Sequence, residues 1–347
     1  MDIQTNKSIQ EFLINELSLT SWNSVDNVQQ LTEGKSDAIV YRLHIVSQRR
    51  KLTGHYIVKL IDTDKPWYQS KVNEGTKGKD AYTSAGKFKD HITKVIGSKE
   101  IGKVLVVIYK QANNSVMNSI SLEKLTKSKA VSLLERISYD ILSEWNDRSL
   151  FNGDASVFFK EILSYRLDEE GQFEKRISKL LQNKKAKSFL FRNKVYPNPY
   201  YYINCETAWY NSLESKVFLK GKIHGDFHRK NIITTEEAGK IDYSIIDFDC
   251  FSPDAFLFYD NAYLETSIIF DNSIRYSLAE WITVSNGILN TDIQNGIEGA
   301  LDEDVYLYRD AICKGVSKWL FDDKQVASKD TLIVQFYMAR LAASINY

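Results

Sequence analysis

The chain is poor in the residues that make rigid linkers and covalent staples. It has only four prolines in 347 residues, so no proline-rich spacer separates one part from another, and any boundary has to be read from the elements themselves. Three cysteines, Cys205, Cys250 and Cys313, are too few and too scattered for a disulfide framework or a metal knuckle, which points to a reducing compartment. Cys250 reads as a small buried filler. No apolar run reaches the roughly 18 residues a membrane-spanning helix needs, and Met1–Lys7 holds no signal-peptide core. A cytoplasmic chain with no membrane partner is expected. Nor is there an excess of charge: 45 basic residues balance 45 acidic ones, so nothing suggests a nucleic-acid-binding surface. There is no internal repeat and no low-complexity tract.

What is present is a 43% hydrophobic fraction, enough for substantial burial in a chain longer than one core usually takes, and one stretch that concentrates chemistry. His224-Gly225-Asp226-Phe227-His228-Arg229-Lys230-Asn231 has the form H-G-D-x-x-x-x-N, and Ile245-Ile246-Asp247-Phe248-Asp249 follows it. A kinase catalytic loop uses the first spacing to hold an aspartate at the acceptor hydroxyl and to return an asparagine to a metal ion. The second aspartate follows an apolar strand, where it would join the same metal cluster. Asp247 lies 21 residues after Asp226 (247 − 226), a distance that suits a hairpin: Asn231–Thr234 out, a polar turn over Glu236–Lys240, and Tyr243–Ile246 back. Taken singly, an Asp or Asn here is an ordinary turn residue and His224 an ordinary satisfied core group. As an ordered set they point to phosphoryl transfer.

These motifs, H-G-D-x-H-x-x-N and I-I-D-F-D, resemble those of the aminoglycoside phosphotransferase and choline kinase group of kinase-like phosphotransferases. Protein kinases of the H-R-D and D-F-G type differ, since this chain has Gly225 for the Arg and Asp249 for the last Gly. The resemblance implies an α+β, bilobal protein-kinase-like fold with a small β-rich N-terminal lobe over residues 1–112 and a larger, mainly helical lobe over residues 113–347. It implies ATP and Mg2+ as cofactors, Asp226 as catalytic base, Asn231 and Asp247 as magnesium ligands, Asp249 as a further metal or water-shell carboxylate, and His224 as a support for the loop. His228 takes the second His position of that loop, in a structural or a chemical role. Asp260 fits an aspartate that packs back onto the catalytic loop.

An ATP-binding lobe must then precede the motifs. Residues 31–46 read as strand, tight turn, strand, with Gly34 and Ser36 at a turn that could lay backbone N–H groups over phosphates; a plain hairpin is the alternative. His55–Ile61 is a β-rich run with a lone cation, Lys59, inside it. A lysine among buried strand residues is costly unless an anion meets it; the resemblance implies that the anions are the ATP α- and β-phosphates and a helix glutamate, and Glu74, 15 residues on (74 − 59), is the expected partner at the head of a helix weakened by Gly75 and Gly78. A solvated edge-strand lysine is the other reading. Val104–Lys110 is a continuous apolar strand, and the resemblance makes Tyr109 to Ala112 the hinge at the adenine edge.

Helical periodicity dominates the remainder. Leu134, Ile137, Ile141 and Trp145 form one stripe, Phe173, Ile177, Leu180 and Leu181 another, and Val305, Tyr308, Ile312, Val316, Trp319 and Leu320 a third; all read as core. Lys184, Lys185, Lys187, Arg192 and Lys194 lead into Tyr196-Pro197-Asn198-Pro199-Tyr200-Tyr201-Tyr202, either a substrate or partner surface or a solvated loop packed by its tyrosines. The end at Leu341–Tyr347, in mid-helix pattern, suits a fragment with further domains in a longer parent. The expected function is transfer of the ATP γ-phosphoryl group to the hydroxyl of an unidentified substrate, a small molecule rather than a protein. The alternative is a non-catalytic nucleotide-sensing or regulatory module of a bacterial signalling or defence protein, which would not need to keep the base.

Overall fold

A computed structural model describes residues 3–31, 38–46, 53–65, 74–110, 119–152, 162–163, 167, 171–181, 183–191, 193–204, 217–289, 303–322 and 327–347. The chain forms two compact units that alternate along the sequence: Met1–Ala130 with Arg229–Phe251, and Val131–His228 with Ser252–Tyr347. A division at residue 112 treats the chain as two consecutive pieces. The interleaving arises because the hairpin after the H-G-D loop pairs with a short strand of the first unit. Elements are numbered along the chain.

In the first unit, α1 (Lys7–Glu16) precedes a five-stranded sheet ordered β1-β2-β3-β5-β4, made of β1 (Val25–Leu31), β2 (Ile39–Ile45), β3 (Gly54–Asp62), β4 (Val95–Ile101) and β5 (Val104–Lys110). Every pairing in it is antiparallel. The expected strands over 55–61 and 104–110 are present; of the strand, turn and strand expected over 31–46, the second strand is β2, the first lies earlier as β1, which ends at Leu31, and the turn lies outside the described residues. α1 starts where the Asn6 side chain accepts a hydrogen bond from the Ile9 N–H at 3.2 Å, satisfying one of the free donors of the first turn. It then lays Ile9, Phe12 and Leu13 on one face of the sheet, against Tyr56, Val58 and Leu60 of β3 and Val106 and Ile108 of β5. Each such side chain contributes about 1.5–3 kcal/mol on burial.

Strand alternation sends Ile57, Lys59 and Ile61 to the opposite face, with Leu105, Val107 and Tyr109 of β5. Here α2 (Glu74–Thr83) lies on β4. A Cβ on Gly75 would overlap the Ser98 side chain, and one on Gly78 would sit 2.6 Å from Val95 Cγ2. These glycines cost helix propensity of up to about 1 kcal/mol each, and they are what lets the helix backbone approach the sheet closely. A second sheet of this unit, ordered β12-β11-β6, joins β6 (Ile120–Ser121) to the hairpin of β11 (Ile232–Glu237) and β12 (Lys240–Ile245). The register Ile232↔Ile245 through Glu237↔Lys240 confirms the hairpin expected from the sequence.

The second unit holds α3 (Lys127–Asp140), β7 (Ser149–Asn152), α4 (Gln172–Leu180), the hairpin β8 (Ser188–Phe191) and β9 (Lys194–Pro197), α5 (Pro199–Asn204), β10 (Val217–Ile223), β13 (Ser252–Phe256), α6 (Tyr259–Ser273), α7 (Leu278–Leu289), α8 (Glu303–Leu320) and α9 (Lys329–Asn346). β10 is the central strand of a sheet ordered β13-β10-β7. The core gathers Phe218 and Leu219 of β10, Phe258, Tyr259 and Ala262 at the head of α6, Val316 and Trp319 of α8, and Phe336 and Ala339 of α9. Of the three expected stripes, Leu134, Ile137, Ile141 and Trp145 are buried, as are Phe173, Ile177 and Leu181, whereas Tyr308 is half-buried in a stripe otherwise inside from Val305 to Leu320. Glu265 of α6 ties the helices together: Arg309 Nε donates to its Oε1 at 2.7 Å, and Arg340 Nε to its Oε2 at 2.6 Å. A carboxylate shared by two guanidinium groups is compensated even when buried. Among the described residues no helix is long and apolar enough to cross a membrane.

Candidate active site

The first unit supplies a lysine centred between two carboxylates. Lys59, in the middle of β3, is nearly buried, and its Nζ donates to Glu74 Oε1 and Oε2 at 2.9 and 3.0 Å and to Asp247 Oδ1 at 3.0 Å. Burial alone would lower the Lys59 pKa, but the Asp247 and Glu74 carboxylates outweigh it and hold the ammonium charged beyond its usual range. Glu74 is completely buried at the first position of α2, where the helix dipole also favours a negative charge. The edge-strand alternative for Lys59 is excluded, because β3 is paired on both sides, with β2 and β5.

Tyr109 takes a part that the hinge reading did not foresee. It lies within the ladder, opposite Ile57 on one side and Val95 on the other, and its hydroxyl donates to Glu74 Oε1. Burial and the neighbouring carboxylates keep that hydroxyl protonated. Gly34, Ser36 and Ala112, the other residues expected at the nucleotide, lie outside the described residues.

The β11–β12 hairpin places Asn231 and Asp247 at its open end, where the Ile246 N–H donates to the Asn231 carbonyl at 3.0 Å. Asp247 leaves β12 in the left-handed region, φ 67° and ψ 63°, a conformation Asp tolerates better than most residues. The chain then turns through Phe248–Cys250, with Phe248 and Asp249 buried and the Asp249 carbonyl accepting from Lys77 Nζ of α2 at 2.6 Å. Cys250, read from the sequence as a buried filler, is instead exposed. The turn gives its interior positions to the two residues before it. Asn231, Asp247 and Asp249 offer amide and carboxylate oxygens, the donors magnesium accepts. Among the described residues no group of three or more His, Cys, Asp or Glu side chains forms a ready-made metal cage.

The second unit supplies the loop of Asp226. β10 delivers the chain to His224, which is completely buried. From there Asp260, fully buried at the head of α6, fixes the backbone: its Oδ2 accepts from His224 N at 2.6 Å and its Oδ1 from Gly225 N at 3.0 Å. Gly225 has φ 84°, a backbone that glycine adopts without strain. Its place in H-G-D follows from that turn. Burial pushes the Asp260 carboxyl up to about 6, against the pull of His224 and of the two N–H donors. His224 Nδ1 accepts from the Asp226 N–H at 3.3 Å, the supporting role expected of it. Asp226 itself keeps its carboxylate about one-third exposed, with His228 Nε2 3.6 Å from Oδ2. Tyr263 lies close enough to feel this carboxylate, and burial together with the Asp226 charge holds its hydroxyl protonated. Sequence reasoning missed Tyr263. The signal was there, since it lies three residues after Asp260 and so on the same face of one helix.

No family model and no curated protein matches the chain. Among solved structures, a choline kinase from Cryptosporidium parvum Iowa II is 11% identical over 96% of this chain and 94% of that one, with a TM-score of 0.38. A spectinomycin phosphotransferase, solved in complex with ADP and spectinomycin, is 12% identical over 98% of each chain, with a TM-score of 0.33. A third protein, described as a kinase domain, is 13% identical over 93% of this chain and 91% of its own, at 0.25. At such TM-scores these likenesses carry no argument about fold or substrate. What resembles the kinase-like arrangement belongs to the chain itself: a lysine on the third strand of an antiparallel sheet, paired with a glutamate on the helix beside it, then H-G-D-x-x-x-x-N and a strand followed two residues on by Asp247.

Proposed function

We propose that this chain is an ATP- and magnesium-dependent phosphotransferase that moves the γ-phosphoryl group to a hydroxyl, on a small molecule rather than a protein. One observation carries the reading: Lys59 of β3 bound to Glu74 of α2 and to Asp247 after β12. Burying such charges costs stability compared with a well-packed apolar set, and folding alone gives no reason for it. A site that anchors nucleotide phosphates does.

In this reading Lys59 contacts the α- and β-phosphates, while Glu74 and the Tyr109 hydroxyl hold the ammonium in place from behind. Asn231 and Asp247, with Asp249, would hold a magnesium ion, whose charge would offset that of the phosphate oxygens. Asp226 orients the acceptor hydroxyl and takes its proton as the new oxygen–phosphorus bond forms and the bond to the β-phosphate oxygen breaks, releasing ADP. Phosphoryl transfer asks the protein mainly for position and charge, and these residues supply both. A small-molecule acceptor agrees with the H-G-D form of the loop and with the absence of an A-P-E segment from the sequence.

The test is to follow labelled γ-phosphate from ATP into fractions of a metabolite extract, with the parent chain and with Asp226→Asn. The variant is expected to bind ATP as the parent does and to transfer label roughly 10²–10⁴-fold more slowly. Parent-level transfer by the variant would remove Asp226 from the mechanism. Absence of magnesium-dependent transfer by the parent to any fraction would remove the activity.

A further inference from the structure

The hairpin of β8 and β9 has two faces with opposite fates. On the inner face Phe189 stacks on Tyr196, ring centroids 5.8 Å apart, and Phe189 and Tyr200 pack against Phe173, Ile177 and Leu181. Asn198, completely buried, fastens the base: its Nδ2 donates to the Lys184 and Ala186 carbonyls at 2.8 Å each, and its Oδ1 accepts from the Tyr200 N–H at 3.1 Å. The hairpin is thus held on one side and presents the other. On that outer face Leu190 and Val195 stand directly opposite each other in the register, 68% and 71% exposed. A solvent-facing strand surface normally carries polar residues, so two adjacent bare aliphatic side chains on a fastened hairpin need a partner.

Charge identifies its kind. In a chain of zero net charge, residues 175–205 carry eight lysines and arginines and no aspartate or glutamate. Lys184 is used internally, paired with Glu174. Lys185, Lys187 and Lys194 are exposed, and no acidic side chain among the described residues pairs with them. α4 adds exposed Lys175, Arg176 and Lys179 while burying Phe173 and Ile177 in the same cluster. Two or three aliphatic and aromatic tips are far too little for the core of a standard protein interface of about 800 Å² per partner. They suit shallow insertion among lipid headgroups, where lysines extend their stems beside an apolar contact and keep their charge at the phosphates.

We propose that the β8–β9 hairpin docks this chain on an anionic phospholipid surface, with Leu190 and Val195 entering the headgroup region and Lys187 and Lys194 meeting the lipid phosphates. The proposal reverses the expectation of no membrane partner and is independent of the phosphotransfer reading.

The test is flotation of the full chain with vesicles of phosphatidylcholine alone and of phosphatidylcholine with phosphatidylserine, at low and high salt. Binding is expected only to the anionic vesicles and should weaken with salt. Lys187→Gln and Lys194→Gln should each lower the partition coefficient roughly fivefold. Leu190→Thr with Val195→Thr keeps strand-forming residues at exposed positions, so the melting temperature should hold while binding falls by a further order of magnitude or more. Failure of the parent to bind anionic vesicles at low salt would overturn the proposal. So would undiminished binding by the Leu190→Thr/Val195→Thr variant, which would take the aliphatic pair out of the contact, or binding to heparin without binding to vesicles, which would mean that the surface meets soluble polyanions.

Discussion

The lysine centre of the first unit and the aspartate loop of the second solve opposite problems with the same kind of residue. Around Lys59 the charges face one another, and an ammonium with two carboxylates leaves the group compensated although Glu74 is completely buried. Around Asp226 the buried charge, Asp260, is turned onto backbone N–H groups, and the outer carboxylate stays partly exposed. In one region acidic groups fix a cation. In the other an acidic group fixes a loop while a second acid stays partly exposed. The lesson is that the same residue type serves as a buried support in one setting and as a partly exposed group in the other.

The contrast can be broken most forcefully at Lys59. Replacement by Met leaves Glu74 buried without its cation, and removing one partner of a buried pair typically costs about 3–5 kcal/mol. Urea denaturation of Lys59→Met should show a loss of that size, and adding Glu74→Gln should recover much of it. A single-variant loss under about 1 kcal/mol, the range of exposed pairs, would mean that the carboxylates are hydrated and that the two regions do not differ in kind.

Asp260 gives the next largest effect and a sign that is unusual for an aspartate. Its carboxyl is raised from 3.8 to about 6 by burial, so the folded chain binds this proton more tightly than the unfolded one. As pH rises from about 4 to about 6 the unfolded state releases its proton first, and stability must fall across that window and then level off. Two units at about 1.4 kcal/mol each set an upper size of about 3 kcal/mol. Stability measured by denaturant between these pH values, in the parent minus Asp260→Asn, should decline with rising pH. A rise would show that the hydrogen bonds from His224 and Gly225 outweigh burial.

Much of this was legible in the sequence, for identifiable reasons. β3 and β5 are runs long and apolar enough to be read as strands, and Lys59 stood out because a cation in such a run demands an anion; that the anion is a helix glutamate, Glu74, came from the resemblance to kinase-like folds. Asn231 and Asp247 came from spacing, and the hairpin between them from turn chemistry. Other features depend on contacts between distant residues, and single-residue propensities point the wrong way. Gly75 and Gly78 read as helix weakeners because the approach of Ser98 and Val95 is a tertiary fact. Tyr109 read as part of a backbone hinge because nothing local says that its hydroxyl reaches Glu74. Cys250 read as buried because its neighbours are. Tyr263 sits in α6 where almost every residue from Tyr259 to Ile268 is buried, so no amphipathic pattern singles it out.

Tyr263 also gives the smallest and sharpest test, because it joins the two kinds of residue in the second unit. It is largely buried, yet its hydroxyl feels the charge of the partly exposed Asp226. Tyr263→Phe keeps the ring contacts with Tyr259 and Tyr347 and deletes only the hydroxyl. Since Asp226 is about one-third exposed, water can solvate it in the variant, and the stability cost should stay near 1 kcal/mol. The carboxylate, however, loses a polar neighbour. If Asp226 acts on the acceptor, kcat should fall about tenfold, equivalent to about 1.4 kcal/mol in the barrier, while the KM for ATP holds, because the nucleotide is assigned to the lysine centre. A variant that melted far below the parent with kcat intact would make Tyr263 a core residue only. One that raised the KM for ATP without touching kcat would place the hydroxyl's influence on the nucleotide, contrary to the division drawn between the two regions.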